Sequence, residues 1–194
     1  LAARLIERYV EAESLSVRNI VRLGEHEVLS VRQVCQRMFE ANPARMRYES
    51  EDALRLLNTP WEDTRHFAFE YFQRHFGERD WTPERLLTIC DSHLPDVQTY
   101  GRTLTQQYLR PEDGPDYLLR LSQHPNPSMQ AFAAQYLHDY ANDNPEALEK
   151  LIPYFQTILS QVNKNRKARD QVLAFLQQQA KRSDAAARLV RPLF

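Results

Sequence analysis

A group of basic side chains near the carboxyl end is the feature of this sequence best suited to bind a charged partner. Residues 162–194 hold eight lysines and arginines and two acids, a net charge of +6, whereas residues 1–161 carry a net charge of −7. Such a cluster can bind phosphates or an acidic protein surface. The candidate partner-binding residues of this segment are Lys164, Arg166, Lys167, Arg169, Lys181 and Arg182.

The same charges have a plainer interpretation as a solvated loop and helix cap, because runs of charge are usually exposed helix faces. No aromatic residue is interleaved with the cluster to stack on the bases of a single strand. Both interpretations stay open from the sequence.

A second set of basic residues recurs along the chain, each one or two residues from an apolar position that we expect to face a core. Its members are Arg85, Arg120, Lys150 and Arg188. On stacked helices these residues would form a basic strip for a charged partner. Nearby acids such as Glu84, Asp116 and Glu149 dilute that charge, so ordinary helix-surface charge is the alternative.

Residue types common in catalytic and metal sites are present without the spacing that such sites need. The six histidines form no HExxH or HxH pattern, and Cys35 and Cys90 lie far apart without a CxxC pair. A glycine-rich phosphate loop is also absent from the sequence. We therefore expect a non-enzymatic protein with reduced thiols and with no cofactor, metal or disulfide.

The sequence has no run of 18 apolar residues and no basic-then-apolar leader. This pattern predicts a cytoplasmic protein without a membrane partner. The chain starts with Leu1 instead of Met, and we expect it to be part of a longer protein. Its oligomeric state has no signal in the sequence.

Helices must position these side chains, because the sequence has only four glycines and no Asn-Gly or Asp-Gly hairpin turn. A helix-start signature, in which a cap-like residue precedes proline or glutamate and then an acid, recurs at steps of 32, 32 and 30 residues. Its occurrences are Ser50-Glu51-Asp52, Thr82-Pro83-Glu84, Gly114-Pro115-Asp116 and Asn144-Pro145-Glu146. Regular repetition predicts an all-α fold of stacked helical units.

Another helix precedes each signature, and we expect its N-cap to be Ser30, Asp63, Asp96 or Ser128 in turn. A small residue follows five residues after each of these caps, where a neighbouring helix can approach closely. The small residues are Cys35, Ala68, Gly101 and Ala133. Glycine normally weakens a helix, so Gly101 predicts a tight helix crossing.

Aromatic residues concentrate in one of these first helices and beside it: Trp61, Phe67, Phe69, Tyr71, Phe72, Phe76 and Trp81. At helical spacing most of them should lie in the core. Of the seven, Phe69 and Trp81 are the candidates for exposure or for contact with another segment, although burial is favoured for both.

The paired helices, the Pro-Asp-Val-Gln turn at Pro95 to Gln98 and the related Asp63-Thr64-Arg65 and Ser30-Val31-Arg32 resemble HEAT repeats, of the armadillo-like group. The resemblance implies a curved right-handed superhelix, with first helices on the convex side and second helices lining a concave binding face. We expect one α-solenoid domain over 1–194 with about six antiparallel helix pairs. The approximate units are 1–29, 30–62, 63–94, 95–126, 127–161 and 162–194.

The leading expectation for function is a non-enzymatic scaffold or recognition module that binds a protein or peptide. A nucleic-acid-binding solenoid that uses the basic carboxyl-terminal unit is the alternative. The HEAT resemblance adds a third reading, because DNA glycosylases of HEAT-like repeats hold bases with Trp or Tyr and use a catalytic Asp. Trp61, Trp81, Asp63 and Asp91 would supply such parts, although a phosphate binder should be more basic than this chain, whose net charge is −1.

Overall fold

Helices make up the whole regular structure of the described part of the chain. The computed structural model describes residues 2–10, 12–160 and 166–193, in which 84% of the structure is helical and no strand occurs. The prediction of an all-α fold is confirmed for these residues. Within them, no helix is both long enough and apolar enough to cross a membrane.

The chain divides into two compact units, Leu1–Gln106 and Gln107–Phe194. Adjacent helices pack on each other within each unit. The superhelical arrangement of six helix pairs as one domain stays a prediction.

The amino-terminal unit is built from eight helices of the described residues, the last of which ends two residues beyond it. They are α1 (Ala2–Tyr9), α2 (Val17–Gly24), α3 (Leu29–Ala41), α4 (Pro43–Tyr48), α5 (Ser50–Ala53), α6 (Glu62–His75), α7 (Pro83–Cys90) and α8 (Pro95–Tyr108). Short 3-10 helices lie at Ala12–Ser14, Leu54–Asn58 and Glu78–Asp80.

The carboxyl-terminal unit has six further α-helices in its described part. They are α9 (Gly114–Gln123), α10 (Pro127–Ala141), α11 (Pro145–Lys150), α12 (Ile152–Ser160), α13 (Arg166–Arg182) and α14 (Asp184–Val190). Two 3-10 helices, Pro111–Asp113 and Arg191–Leu193, complete this unit.

The repeated signature marks helix starts as predicted. Thr82 Oγ1 accepts the Arg85 N–H at 3.4 Å, and Asn144 Oδ1 accepts the Ala147 N–H at 3.1 Å. In the other two occurrences, Ser50 and Gly114 are the first residues of α5 and α9 instead of their caps. The signature therefore locates each helix to within one residue.

Helix α4 was not expected, although its signal is present in the sequence. Asn42 accepts the Arg45 N–H and Pro43 occupies the first helical position, an arrangement that Asn144 and Pro145 repeat at α11. The Asn-Pro pair therefore predicts both helices.

The first helices of the pairs begin earlier than predicted, so the proposed N-caps at Ser30, Asp63, Asp96 and Ser128 are wrong. The caps of α3, α6 and α10 are Val28, Trp61 and Asn126, and α8 begins at Pro95. The predicted residues lie in the first helical turn instead. Two of them, Asp63 and Asp96, have a different role because their carboxylates bind arginines of the preceding helix pair.

The small-residue positions lie in the core, as predicted: Cys35, Ala68, Gly101 and Ala133 are all buried. The tight crossing at Gly101 is confirmed. A Cβ atom added there would lie 2.8 Å from the backbone N of Cys90 and 2.9 Å from Ile89 Cγ2. Real Cβ atoms do not approach backbone this closely, so only glycine fits between α8 and α7.

Most of the aromatic residues of α6 pack in the core, as expected. Tyr71 is fully buried, its ring lies 5.2 Å from that of Phe39, and its hydroxyl donates to the Phe39 carbonyl O. Trp81, one of the two residues suspected of exposure, is buried as the balance of the sequence evidence favoured: its side chain is 3% exposed and packs on Phe76 at 5.5 Å. Phe69 is half-buried, with its ring 4.6 Å from that of Tyr100.

Candidate partner-binding surface

The first turn of α13 presents exposed positive charge. Arg166 and Lys167 are exposed, and no acid lies in this turn. Arg166 Nε lies 3.9 Å from Asp170 Oδ2, and the arginine side chain is 94% exposed. An ion pair this exposed contributes little to stability. Lys164, the first candidate of this cluster, lies outside the described residues.

The position of these charges is unfavourable for the helix that carries them. A helix amino terminus bears partial positive charge from its unpaired N–H groups, and acids stabilise it whereas cations destabilise it. The second helices that begin at the repeated signature follow the rule, with Glu84, Asp116 and Glu146 in their first turns. Helix α13 has cations in its first turn and, like α3 and α10, no acid there, so the helix dipole does not account for its cations.

An open depression lies along the same part of α13. Its lining is formed by Arg166, Lys167, Asp170, Gln171 and Ala174. The small side chain of Ala174 lies about two helical turns beyond the two cations. We call Arg166, Lys167 and this depression the α13 surface.

Arg169 differs from its two neighbours because it is half-buried. It is the fourth residue of α13, the position that Arg32 and Arg65 hold in α3 and α6. Those two arginines bind within the protein, so we leave Arg169 out of the α13 surface.

Lys181 and Arg182 lie at the opposite end of α13 from the other candidates. Sixteen residues of helix separate Arg166 from Arg182, about 24 Å. Arg182 Nη1 donates to Asn142 Oδ1 at 2.7 Å and to Asp143 Oδ2 at 2.9 Å. This arginine therefore anchors α13 to the turn before α11, while Lys181 is exposed.

The turn that Arg182 contacts has a strained residue at its centre. Asp143 has a φ of 55°, in the left-handed region that only a few residue types other than glycine adopt readily. Gln179 fixes the turn by accepting the Asp143 N–H at 3.0 Å and donating to Asn142 Oδ1 at 2.9 Å. Internal packing thus explains these contacts.

The second set of basic residues is divided between the two compact units. Arg85, in the amino-terminal unit, is half-buried and donates from Nη1 to the Asp80 carbonyl O at 2.6 Å. Arg120, Lys150 and Arg188, in the carboxyl-terminal unit, are exposed. Arg85 therefore helps to hold the turn before α7, whereas the other three present charge to solvent.

A repeated turn, not foreseen from the sequence, precedes four of the first helices. The side chain of one residue accepts the backbone N–H two positions later, at 3.0–3.5 Å. The carbonyl O of the same residue accepts from a side chain six positions later, at 2.6–3.0 Å. The accepting residues are His26, Thr59, Ser92 and His124, and the donating ones are Arg32, Arg65, Gln98 and Gln130.

Trp61 and Asp63 form part of the first of these connections. The Arg32 guanidinium lies over the Trp61 ring, 4.3 Å from its centroid, and binds Asp63 Oδ2. The Trp61 indole N–H donates to the Glu25 carbonyl O at 3.0 Å. Packing between helix pairs therefore accounts for both side chains. Asp91 lies exposed at the end of α7.

The Cys35 thiol and the Tyr71 phenol of the amino-terminal unit are held in their neutral forms. Cys35 and Cys90 are both buried, and neither forms a disulfide. Burial raises the pKa of the Cys35 thiol to about 12, and burial also raises the pKa of the Tyr71 phenol. The Cys35 thiol is thus inert as a nucleophile near neutral pH.

Among residues 2–10, 12–160 and 166–193, no group of three or more His, Cys, Asp or Glu side chains is placed to hold a metal ion. Comparison of the chain with protein-family models, with curated proteins and with solved structures found no match. The HEAT resemblance therefore stays an interpretation of the sequence.

Proposed function

We propose that this protein is a HEAT-like helical recognition module that binds an acidic segment of a protein partner at the α13 surface. The observation that carries the proposal is the exposure of Arg166 and Lys167 in a helical turn that has no acid. A non-enzymatic role and a cytoplasmic location, both expected from the sequence, belong to the same proposal.

The argument compares what these cations contribute to the fold with what they offer to a ligand. At the amino end of α13 they oppose the helix dipole, and Asp170 neutralises Arg166 weakly at 3.9 Å. Residues that conflict with local stability are often retained for function. A carboxylate-rich segment in the adjacent depression would pair with both cations. It would also compensate the partial positive charge at the amino end of α13.

A protein segment suits this surface better than a nucleic acid. The exposed large hydrophobic side chains of the described residues are Leu5, Tyr9, Val28, Leu29 and Tyr48. All of them lie in the amino-terminal unit, so the described part of the carboxyl-terminal unit offers no exposed large aromatic ring for base stacking. A nucleic acid remains the second candidate because exposed Arg120, Lys150 and Arg188 add positive charge in the carboxyl-terminal unit.

The test measures binding of a fluorescein-labelled oligo-glutamate peptide to the full chain and to the double variant Arg166→Glu/Lys167→Glu. We expect the affinity for the peptide to fall at least about tenfold in the variant, because two favourable contacts become repulsive. The same change places acids at the start of α13, so the melting temperature should stay equal or rise. Loss of binding then cannot come from loss of folding.

The matched control reverses two other exposed cations of the same unit, Lys181→Glu/Arg188→Glu. This variant has the same net charge and should keep most of the affinity for the peptide. Equal weakening by both variants would attribute binding to net charge alone and overturn the α13 surface. No binding of the peptide by the unaltered chain would overturn the acidic partner.

A single-stranded and a duplex oligonucleotide provide the comparison with the second candidate. Tighter binding of either one than of the peptide, with an affinity that falls steeply with salt, would favour nucleic acid. We expect both oligonucleotides to bind more weakly than the oligo-glutamate peptide.

A further inference from the structure

A histidine side chain closes the turn between α2 and α3. His26 Nδ1 accepts the N–H of Val28, the N-cap residue of α3, at 3.0 Å. Only an imidazole nitrogen without a hydrogen can accept, so this contact requires the neutral ring with its hydrogen on Nε2. No side chain caps α3 in addition, because Val28 has none to offer.

We propose that His26 makes this turn sensitive to acid: when the imidazole takes up a second proton, Nδ1 no longer accepts the Val28 N–H and the start of α3 is loosened. Histidine is the side chain that most often serves as a switch near physiological pH. The device is independent of the α13 surface, which lies in the other compact unit.

The charged groups around His26 do not cancel this effect. In its own turn the neighbours are Glu25 and Glu27, both exposed. From α3, Arg32 Nη1 donates to the carbonyl O of His26 at 3.0 Å, which places a cation at the backbone of this residue. On α6, Asp63 binds that same arginine.

Exposed carboxylates act on an imidazolium through water and are screened by salt. The hydrogen bond to the Val28 N–H, in contrast, is lost outright when Nδ1 is protonated. Loss of the hydrogen bond from the Val28 N–H therefore has a larger effect on the turn than the neighbouring charges have.

The protein contains its own controls for this contact. In the equivalent turns Thr59 Oγ1 accepts the Trp61 N–H at 3.5 Å, and Ser92 Oγ accepts the Leu94 N–H at 3.2 Å. Hydroxyl groups do not titrate in this range, so these two turns should not respond to acid. The same comparison shows that His26→Ser preserves the acceptor while removing the titration.

Nuclear magnetic resonance of the full, ¹⁵N-labelled chain tests the proposal in two ways. Near pH 8, the imidazole nitrogens of His26 should show the tautomer with hydrogen on Nε2. Between about pH 8 and about pH 5, the hydrogen-exchange protection factor of the Val28 amide should fall about fivefold, the loss expected for one hydrogen bond. The protection factors of the Trp61 and Leu94 amides should stay constant.

In His26→Ser, protection of the Val28 amide should be retained and independent of pH. A hydrogen on Nδ1 near pH 8 would overturn the proposal without any variant. So would constant protection of the Val28 amide in the unaltered protein, or the same acid-induced loss in His26→Ser.

Discussion

Arg32 and Asp63 join two successive helix pairs through one carboxylate oxygen, Oδ2, which accepts from Nε at 3.1 Å and from Nη2 at 3.0 Å. The arginine side chain is 8% exposed and the aspartate 40% exposed. Arg65 and Asp96 repeat the relationship one helix pair later, at 2.6 Å. Because the Arg32 side chain is nearly buried, we expect this ion pair to contribute more to stability than an ion pair on the protein surface.

Removing the carboxylate should destabilise the protein because it leaves the Arg32 cation buried without its counter-ion. For Asp63→Ala we expect the free energy of unfolding to fall by about 1–2 kcal/mol, below the cost at a fully buried pair because water still reaches Asp63. Urea unfolding of variant and unaltered protein measures the difference.

Asp52→Ala is the matched control, because Asp52 pairs with Arg55 at 3.3 Å where both side chains are exposed. Its effect on the free energy of unfolding should stay within about 0.5 kcal/mol. Equal effects of the two substitutions would show that burial of Arg32 does not strengthen the pair.

Gly101→Leu should destabilise the crossing of α8 and α7. Its Cβ would meet the backbone N of Cys90 at 2.8 Å, and a backbone atom cannot move aside as a flexible side chain can. We expect a loss of about 1–3 kcal/mol in the free energy of unfolding, despite the better helix propensity of leucine.

Gly77→Ala provides the control, because no atom lies within 4 Å of a Cβ added at Gly77. Its melting temperature should match that of the unaltered protein within a few degrees, about the shift for a surface substitution. An unchanged melting temperature in Gly101→Leu would contradict the close crossing.

Cys35 should make the protein less stable at high pH. Its folded pKa, about 12, lies above the usual value of a thiol because burial disfavours the thiolate. The neutral thiol therefore contributes stability that is fully present below about pH 9 and is lost as pH rises toward about 12. Thiol labelling in a Cys90→Ala background measures access to Cys35.

We expect labelling of Cys35 near pH 8 to be slow in the native state and to become fast once urea unfolds the chain. Rapid labelling of the native protein would contradict the buried, neutral thiol. The reciprocal Cys35→Ala variant reports on Cys90, which is also buried.

The helices could be predicted where their signals are local. Thr82 and Asn144 cap α7 and α11 because Ser, Thr, Asn and Asp accept helix N–H groups wherever they precede a helix. Gly101 was also predictable, because glycine in a helix interior needs a packing reason. Local caps thus predict the starts of α7 and α11, whereas each of the first helices α3, α6, α8 and α10 begins two residues earlier than its predicted start.

The turns before the first helices could not be predicted in the same way. His26, Thr59 and Ser92 perform one function with three side-chain types, so no residue pattern marks the position. Asp63 and Asp96 look like N-caps in the sequence because their role depends on arginines 31 residues earlier. Contacts of that range become visible only in three dimensions.

The distribution of charge in the sequence located the candidate surface but did not show which residues belong to it. Residues that are near in sequence, such as Arg166 and Arg182, lie at opposite ends of a 17-residue helix. Hydrogen bonds to Asn142 and to the Asp80 carbonyl O also assign Arg182 and Arg85 to internal contacts. A sequence does not contain the exposure of a side chain or the geometry of its partners. These two properties leave Arg166 and Lys167 as the candidates at the amino end of α13.

Each repeated turn is closed by atoms that belong to the turn and to the first residues of its own helix, over seven consecutive positions. The turns recur at intervals of 33, 33 and 32 residues, starting at His26, Thr59, Ser92 and His124. The hydrogen bonds that fix the start of each of these helices are therefore local, and none of them has to be supplied by the preceding helix pair.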